Sequence, residues 1–131
     1  MKNLEIFDNP ASGRKAIYIV ARDGHKVIDL EEILLCKADG NYTEMQLEDG
    51  RKIEISTSLY HLEERLMEHR FLRCNSSYLI SLSKGGSFDR RGKKIYLSAH
   101  EISLAKGRCQ KVLPVLTAFG FREIINPFCR Q

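Results

Sequence analysis

The sequence lacks the features that mark secreted, membrane-spanning and metal-binding proteins. No long apolar run follows Met1, so neither a signal peptide nor a membrane span is predicted. The four cysteines lie 38, 35 and 20 positions apart and form no C-x-x-C pair, which argues against a zinc site and against a disulfide framework. These absences indicate a protein of the reducing cytoplasm, in which the cysteines serve mostly as small apolar side chains.

The sequence also offers no group on which catalysis could be based. No nucleophile stands beside a base, and no pair of carboxylates is singled out. The Gly85-Gly86 pair lacks both the Lys-Ser/Thr of a P-loop and the spacing of a dinucleotide fingerprint. The four histidines are scattered over turns and a helix, which is typical of surface residues. We therefore expect no enzyme, no cofactor and no bound metal.

What the sequence does contain is the pattern of one mainly β domain. A chain of 131 residues with 43% hydrophobic residues can bury a core without metal or disulfide support. Apolar residues alternate with polar ones in short runs, bounded by turn signals such as Asp23-Gly24 and Asp49-Gly50. Strands are predicted at residues 15–21, 26–30, 33–38, 42–47, 52–56, 71–74, 78–82, 94–98 and 101–104, with a short helical turn at 31–32.

Two helices are predicted beside the strands. Ser58 can cap the first, because the leucines that follow it form one apolar stripe: Leu59, Leu62 and Leu66. The second begins near Ala105 and carries four apolar residues on one face: Val112, Val115, Leu116 and Phe119. Pro114 inside this second helix removes an amide donor, which predicts a kink or a restart.

The distribution of breaker residues predicts the domain boundaries. Residues 1–14 contain the cluster Asn9-Pro10-Ala11-Ser12-Gly13 and are expected to be a flexible lead-in. Residues 15–119 are expected to be the folded domain. Residues 120–131 are a partly apolar C-terminal extension. Two alternatives are predicted for it, an extra strand or a docking segment.

Charge is distributed unevenly along the chain. Residues 29–68 hold eleven acidic and four basic side chains. Residues 84–108 reverse that balance, with Asp89 and Glu101 against seven basic residues: Lys84, Arg90, Arg91, Lys93, Lys94, Lys106 and Arg108. Such segregation is typical of a protein with one face toward a polyanion. From the charge alone, a solvated basic hairpin at 88–94 is an equal alternative.

The segment from Arg70 to Leu82 contains two strand-like runs around a polar break. Asn75-Ser76-Ser77 interrupts the strand pattern, which predicts a bulge or a tight turn there. An ordinary hairpin would explain these residues. However, the segment resembles the signature F-x-R-x-H-R-S-Y-x-V-N of the LytTR family of bacterial DNA-binding domains. The positions that match the pattern are Phe71, Arg73, Ser77, Tyr78, Leu79 and Ile80.

Three further segments are similar to the same family, in the same order: residues 33–42, 57–66 and 101–106. The resemblance covers roughly residues 15 to 118. It implies a mainly β fold of about ten short, mostly antiparallel strands with two flanking helices. It also implies that loops, not a helix, enter the major groove of DNA.

The resemblance also implies which residues contact DNA. Asn41 and Tyr42 match one family contact region, and Arg73, Asn75 and Ser76 match the central one. Asn75 can make a bidentate contact to adenine, whereas Ser76 is too short to replace an arginine at guanine. At the third region Lys106 and Arg108 follow Ala105, and a lysine suits phosphate better than a base edge. The basic hairpin supplies the remaining expected contacts: Arg90, Arg91, Lys93 and Lys94.

The sequence therefore predicts a cytoplasmic, sequence-specific regulator of bacterial transcription with double-stranded DNA as its partner. A homodimer on repeated sites is a further option. The lead-in is too short to hold a receiver domain, so the chain is expected to be a stand-alone regulator or the output domain of a two-component response regulator. The alternative is a protein-interaction module of the same fold that has lost its DNA contacts, for which Ser76 and Ala105 are the evidence.

Overall fold

The computed structural model describes residues 4–125, which fold into two β-sheets and two α-helices. The described strands are β1 (Ile6–Asn9), β2 (Arg14–Ala21), β3 (Gly24–Asp29), β4 (Ile33–Asp39), β5 (Tyr42–Leu47), β6 (Lys52–Ile55), β7 (Phe71–Arg73), β8 (Tyr78–Ser81), β9 (Ser87–Asp89), β10 (Lys94–Leu97), β11 (His100–Ser103) and β12 (Arg122–Glu123). The helices are α1 (Leu59–Leu66) and α2 (Cys109–Ala118), and 3-10 turns occupy Leu30–Glu32 and Lys106–Arg108. The prediction of a mainly β fold with two helices is confirmed.

The larger sheet has eight strands in the order β1-β2-β6-β5-β4-β8-β7, with β3 also paired to β2. All of its pairings are antiparallel. Strand β4 lies between β5 and β8, and its first four residues are all buried. An unbroken apolar run at this position is expected, because other elements cover both faces of the strand.

Helix α1 covers one face of the larger sheet. The Ser58 hydroxyl accepts a hydrogen bond from the backbone N–H of His61, which satisfies a donor at the helix start. The leucine stripe of α1 is buried in a core with the isoleucines of β2 and β6. The predicted cap and stripe of this helix are therefore confirmed.

The smaller sheet has the order β11-β10-β9-β12 and covers the opposite face of β4 and β8. Its apolar side chains form a second core with α2, Leu35 and Ile80. Gly86 lies where the chain enters this sheet, and a Cβ at that position would be 2.5 Å from the carbonyl oxygen of Tyr96 and 2.8 Å from the Phe121 ring. Only glycine allows this close approach of the backbone.

The N-terminal end of the chain differs from the expectation, whereas the C-terminal end matches one of the two alternatives. Strand β1 lies within the supposed lead-in and pairs with β2, while Leu4 is buried in the first core. The breaker cluster forms the tight turn between these strands, fixed by hydrogen bonds from Asn9 Nδ2 and Ser12 Oγ to Asp29 Oδ1, both 3.0 Å long. At the other end β12 pairs in parallel with β9, so this part of the C-terminal extension forms an extra strand. Residues 126–131 lie outside the described part.

The second helix also begins differently from the expectation. A 3-10 turn holds Lys106–Arg108, and α2 starts at Cys109 without a side-chain cap. The α-helix continues through Pro114 without a restart. Val112 and Leu116 are buried as predicted, whereas Phe119 is 39% exposed.

Cys36 and Cys74 lie in the two cores as free thiols. Burial raises the pKa of each thiol to about 12, so both are protonated and unreactive near neutral pH. Their predicted role as small apolar side chains is confirmed, while Cys109 is half-buried and Cys129 lies outside the described residues. Neither of the helices described, which have eight and ten residues, meets the length and apolarity of a membrane span.

Candidate nucleic-acid interface

Four connections between elements meet at one end of the molecule. We call this the loop surface and define it as residues 37–42, 73–78, 90–94 and 103–108. Backbone hydrogen bonds join the segments: the Ala38 N–H donates to Ser77 O (2.8 Å), the Ala105 N–H to Cys74 O (3.1 Å), and the Leu104 N–H to the carbonyl of Lys93 (2.8 Å). The loops therefore form one continuous surface.

Antiparallel pairing brings these loops together. Strand β4 ends beside the start of β8, where Lys37 pairs with Tyr78, and it turns directly into β5. In the smaller sheet Lys94 pairs with Ser103, which places the β9–β10 turn beside the exit from β11. We call residues 74–77, between β7 and β8, the central loop. Asn75 Nδ2 of this loop donates to the carbonyl of Ser103, and this contact joins the ends of both sheets.

The loop surface is strongly basic. Its four segments contain eight lysine or arginine residues and one acidic residue, Asp39. Of the acid-rich segment at 29–68, residues Glu32 and Glu48 lie at the opposite end of the larger sheet, where the Glu48 N–H donates to Glu32 O (2.9 Å). Asp39 of the same segment belongs to the loop surface itself, and Glu63 is paired with Arg73. The fold therefore separates the basic loop surface from part of the acid-rich segment.

Arg73 holds the central loop in place through its guanidinium group. Its Nη1 donates to Glu63 Oε1 (2.6 Å), its Nε to Asn75 O (2.8 Å) and its Nη2 to Ser76 O (2.9 Å). The side chain is only 14% exposed. Its donors are therefore directed at the loop and at Glu63 of α1, and not at solvent.

Asn75 also has an internal role. Its Oδ1 accepts hydrogen bonds from the backbone N–H groups of Ser77 (2.7 Å) and Tyr78 (2.9 Å), and its Nδ2 donates to the carbonyl of Ser103. An amide oxygen has two lone pairs, and both are occupied here. The predicted bidentate contact to adenine would require these bonds to break.

Other predicted contact residues are accessible. Asn41, Ser76, Lys106 and Arg108 are exposed at the tips of three loops. Tyr42 is half-buried. The loop surface therefore presents both amide or hydroxyl groups and cations.

A buried carboxylate shapes the basic turn between β9 and β10. Asp89 Oδ1 accepts hydrogen bonds from the backbone N–H groups of Arg91 and Gly92, each 3.1 Å long. A Cβ on Gly92 would lie 2.6 Å from Asp89 Oδ2, so the turn requires glycine at that position. These hydrogen bonds fix the backbone conformation of the turn that contains the basic side chains.

Two of the predicted contact residues in this hairpin form surface ion pairs. Arg90 Nη2 lies 3.0 Å from Glu123 Oε1, and Lys94 Nζ lies 3.1 Å from Glu101 Oε2. Exposed pairs of this kind contribute little stability and exchange readily for another anion. They therefore leave both cations able to meet a phosphate.

The sequence did not indicate two further basic residues at this end. The Arg22 guanidinium lies 5.2 Å from the centre of the Tyr42 ring, and its Nη1 is paired with Glu54 Oε1 at 3.0 Å. Lys37 Nζ lies 6.0 Å from the centre of the Tyr78 ring. Alternation along β4 could have placed Lys37 on the face of Leu35. Nothing local could have placed Arg22, because it reaches Tyr42 through the distant pairing of Ala21 with Ile55.

This arrangement is that of a β-rich domain whose loops present cations and short polar groups on one surface. The model of the LytTr DNA-binding domain family matches residues 23–114, and the chain belongs to this family. A solved structure described as the LytTr DNA-binding domain of a methyl-accepting/DNA response regulator from Bacillus cereus has a similar fold. The TM-score is 0.64 at 16% identity, and the match covers 81% of this chain and 97% of that one. No curated protein matches the sequence.

Proposed function

We propose that this chain is a cytoplasmic regulator of bacterial transcription that binds double-stranded DNA in a sequence-specific manner through the loop surface. One observation carries the proposal: besides the internally bonded Arg73, seven basic residues and one acidic residue lie on four segments that hydrogen bonds join into one surface. Membership of a DNA-binding family supports it. Assembly as a homodimer on repeated sites stays a prediction.

The contacts of each residue suggest a division of roles. We assign Asn41 and Ser76 to base edges, because both are exposed and carry short groups that donate and accept hydrogen bonds. Cations around them, including Lys93, Lys106 and Arg108, are assigned to phosphates. Arg73 and Asn75 hold the central loop in shape and are positioning residues.

The competing proposal is a protein-interaction module that has kept the fold. It gains support from the central loop, where the groups of Arg73 and Asn75 that could read a base are engaged internally. It predicts no binding to duplex DNA even at low salt. DNA binding and its dependence on salt therefore separate the two proposals.

We predict that the double variant Lys93→Ala/Lys106→Ala binds every DNA sequence more weakly and with a flatter dependence on salt. Each neutralised phosphate contributes about 0.9 to the slope of log K against log salt, so losing two contacts should lower the slope by about 1.8. Fluorescence anisotropy of a labelled duplex over a salt series measures this slope.

The variant Arg51→Ala/Lys52→Ala is the matched control. It removes the same charge from the β5–β6 turn at the opposite end of the larger sheet and should leave the slope unchanged. Equal slopes for both variants would place the DNA elsewhere on the molecule. Absence of any binding at low salt would favour the interaction module.

A further inference from the structure

A groove lies between the two helices, on the side of the molecule that adjoins the central loop. Its volume is about 530 Å³, and its floor is the edge strand β7. The apolar residues that line it include Met67, Phe71, Leu72, Val112, Val115 and Phe119. A mostly apolar cleft of this size is typical of sites for small organic molecules.

The rim of the groove exposes large apolar side chains. Met67 is 60% exposed at the end of α1, and Phe119 is 39% exposed at the end of α2. The sequence placed Phe119 on the packed face of its helix, yet in the fold it borders the groove. An apolar ligand that contacts both side chains would remove this surface from water.

The charges of the groove select an anion. Three exposed cations line it: Arg70, Arg108 and Lys111. Of its two acidic residues, Glu63 is already paired with Arg73 at 2.6 Å, which leaves Glu68. The remaining balance is positive, so an apolar ligand with one carboxylate complements the groove.

We propose that this groove binds a small amphiphile made of an apolar body and a carboxylate, and that this ligand weakens DNA binding. The second half rests on the function proposed above. Two residues connect the groove to the loop surface. Arg73 and Arg108 line the groove and also belong to the loop surface. Arg108 Nη1 also donates to the carbonyl of Arg73 (3.4 Å).

The coupling follows from the hydrogen bonds of these arginines. A carboxylate beside them competes with Glu63 and with the carbonyls of Asn75 and Ser76 for the Arg73 donors. The central loop then loses its support, and Arg108 is drawn away from the DNA. Because linkage is reciprocal, DNA weakens the ligand by the same factor as the ligand weakens DNA.

Decanoate is the probe, and decanol is its uncharged control. Amide chemical shifts of the full chain, followed by NMR during a titration, report where each compound binds. Decanoate should shift the amides of Leu72, Val115 and Phe119, and decanol should bind about fivefold more weakly. Lys111→Ala should weaken decanoate by a similar factor, about that of one exposed ion pair, whereas Arg65→Ala on the outer side of α1 should not.

DNA affinity is then measured with and without saturating decanoate. We expect the ligand to raise the dissociation constant for DNA about fivefold or more, the lower end of common allosteric couplings. No shifts in the groove, or equal binding of decanol, would overturn the site. Binding in the groove with unchanged DNA affinity would overturn the coupling. DNA affinity without decanoate tests the proposed function by itself, so the two failures are distinguishable.

Discussion

Replacing Arg73 by methionine is expected to lower the free energy of unfolding by about 2–3 kcal/mol and to weaken DNA binding about tenfold. The substitution removes three hydrogen bonds and leaves the Glu63 carboxylate unpaired. Breaking a fully buried pair costs about 3–5 kcal/mol, and the cost here is smaller because Arg73 is 14% and Glu63 27% exposed. The loss of affinity follows because the central loop no longer has a fixed shape, and a factor of ten equals ~1.4 kcal/mol.

Urea denaturation and fluorescence anisotropy with a DNA duplex measure the two effects. Arg65→Met is the control, since Arg65 is an exposed arginine of α1, and it should change stability by less than about 0.5 kcal/mol. A double-mutant cycle with Glu63→Gln should show coupling between the two residues. If Arg73→Met keeps full stability while losing DNA affinity, Arg73 is a direct contact and its positioning role is refuted.

The largest loss of stability is expected for Ile80→Ala, about 3–4 kcal/mol in free energy of unfolding. Ile80 is completely buried between the two sheets, and it pairs with Leu35 on one side and Leu72 on the other. Truncating a buried isoleucine to alanine costs about 2–5 kcal/mol, because transfer free energy is lost and a cavity remains. We expect a value in the upper part of this range because strands pair with Ile80 on both sides. The surrounding backbone therefore cannot move easily to fill the cavity.

Ile124→Ala makes the same chemical change at a residue that is 41% exposed. It should cost less than about 1 kcal/mol, since less apolar surface returns to water. Calorimetric or urea unfolding of both variants measures the two losses in free energy of unfolding. Similar losses in the two variants would mean that the second core is not the stabilising contact between the sheets.

Local signals predicted most of the fold. Alternating residues gave the strands around Asp49-Gly50, and glycine at positive φ closes that turn (φ +96° at Gly50). Ser58 and the leucine stripe predicted α1, because a cap and a 3.6-residue period lie within a few residues of each other. Such signals need no knowledge of the distant chain.

Long-range contacts explain what the sequence did not predict. The lead-in was expected to be flexible, but Asn9 and Ser12 meet Asp29 across the turn and bind it. Asn75 has the residue type of a base reader, yet the nearby N–H groups of residues 77 and 78 and the distant carbonyl of Ser103 occupy its amide. Residue type gives the chemistry that is available, and only the fold decides where it is used.

Amide chemical shifts measured during titration with a DNA duplex show whether DNA binds the loop surface. We expect the largest changes at residues 39–42, 74–77, 90–94 and 104–108, with none at the β5–β6 turn (48–51). These changes should saturate at lower concentration with a selected duplex than with random DNA. Changes centred on the β5–β6 turn, or no changes at any concentration of duplex, would show that DNA does not bind the loop surface.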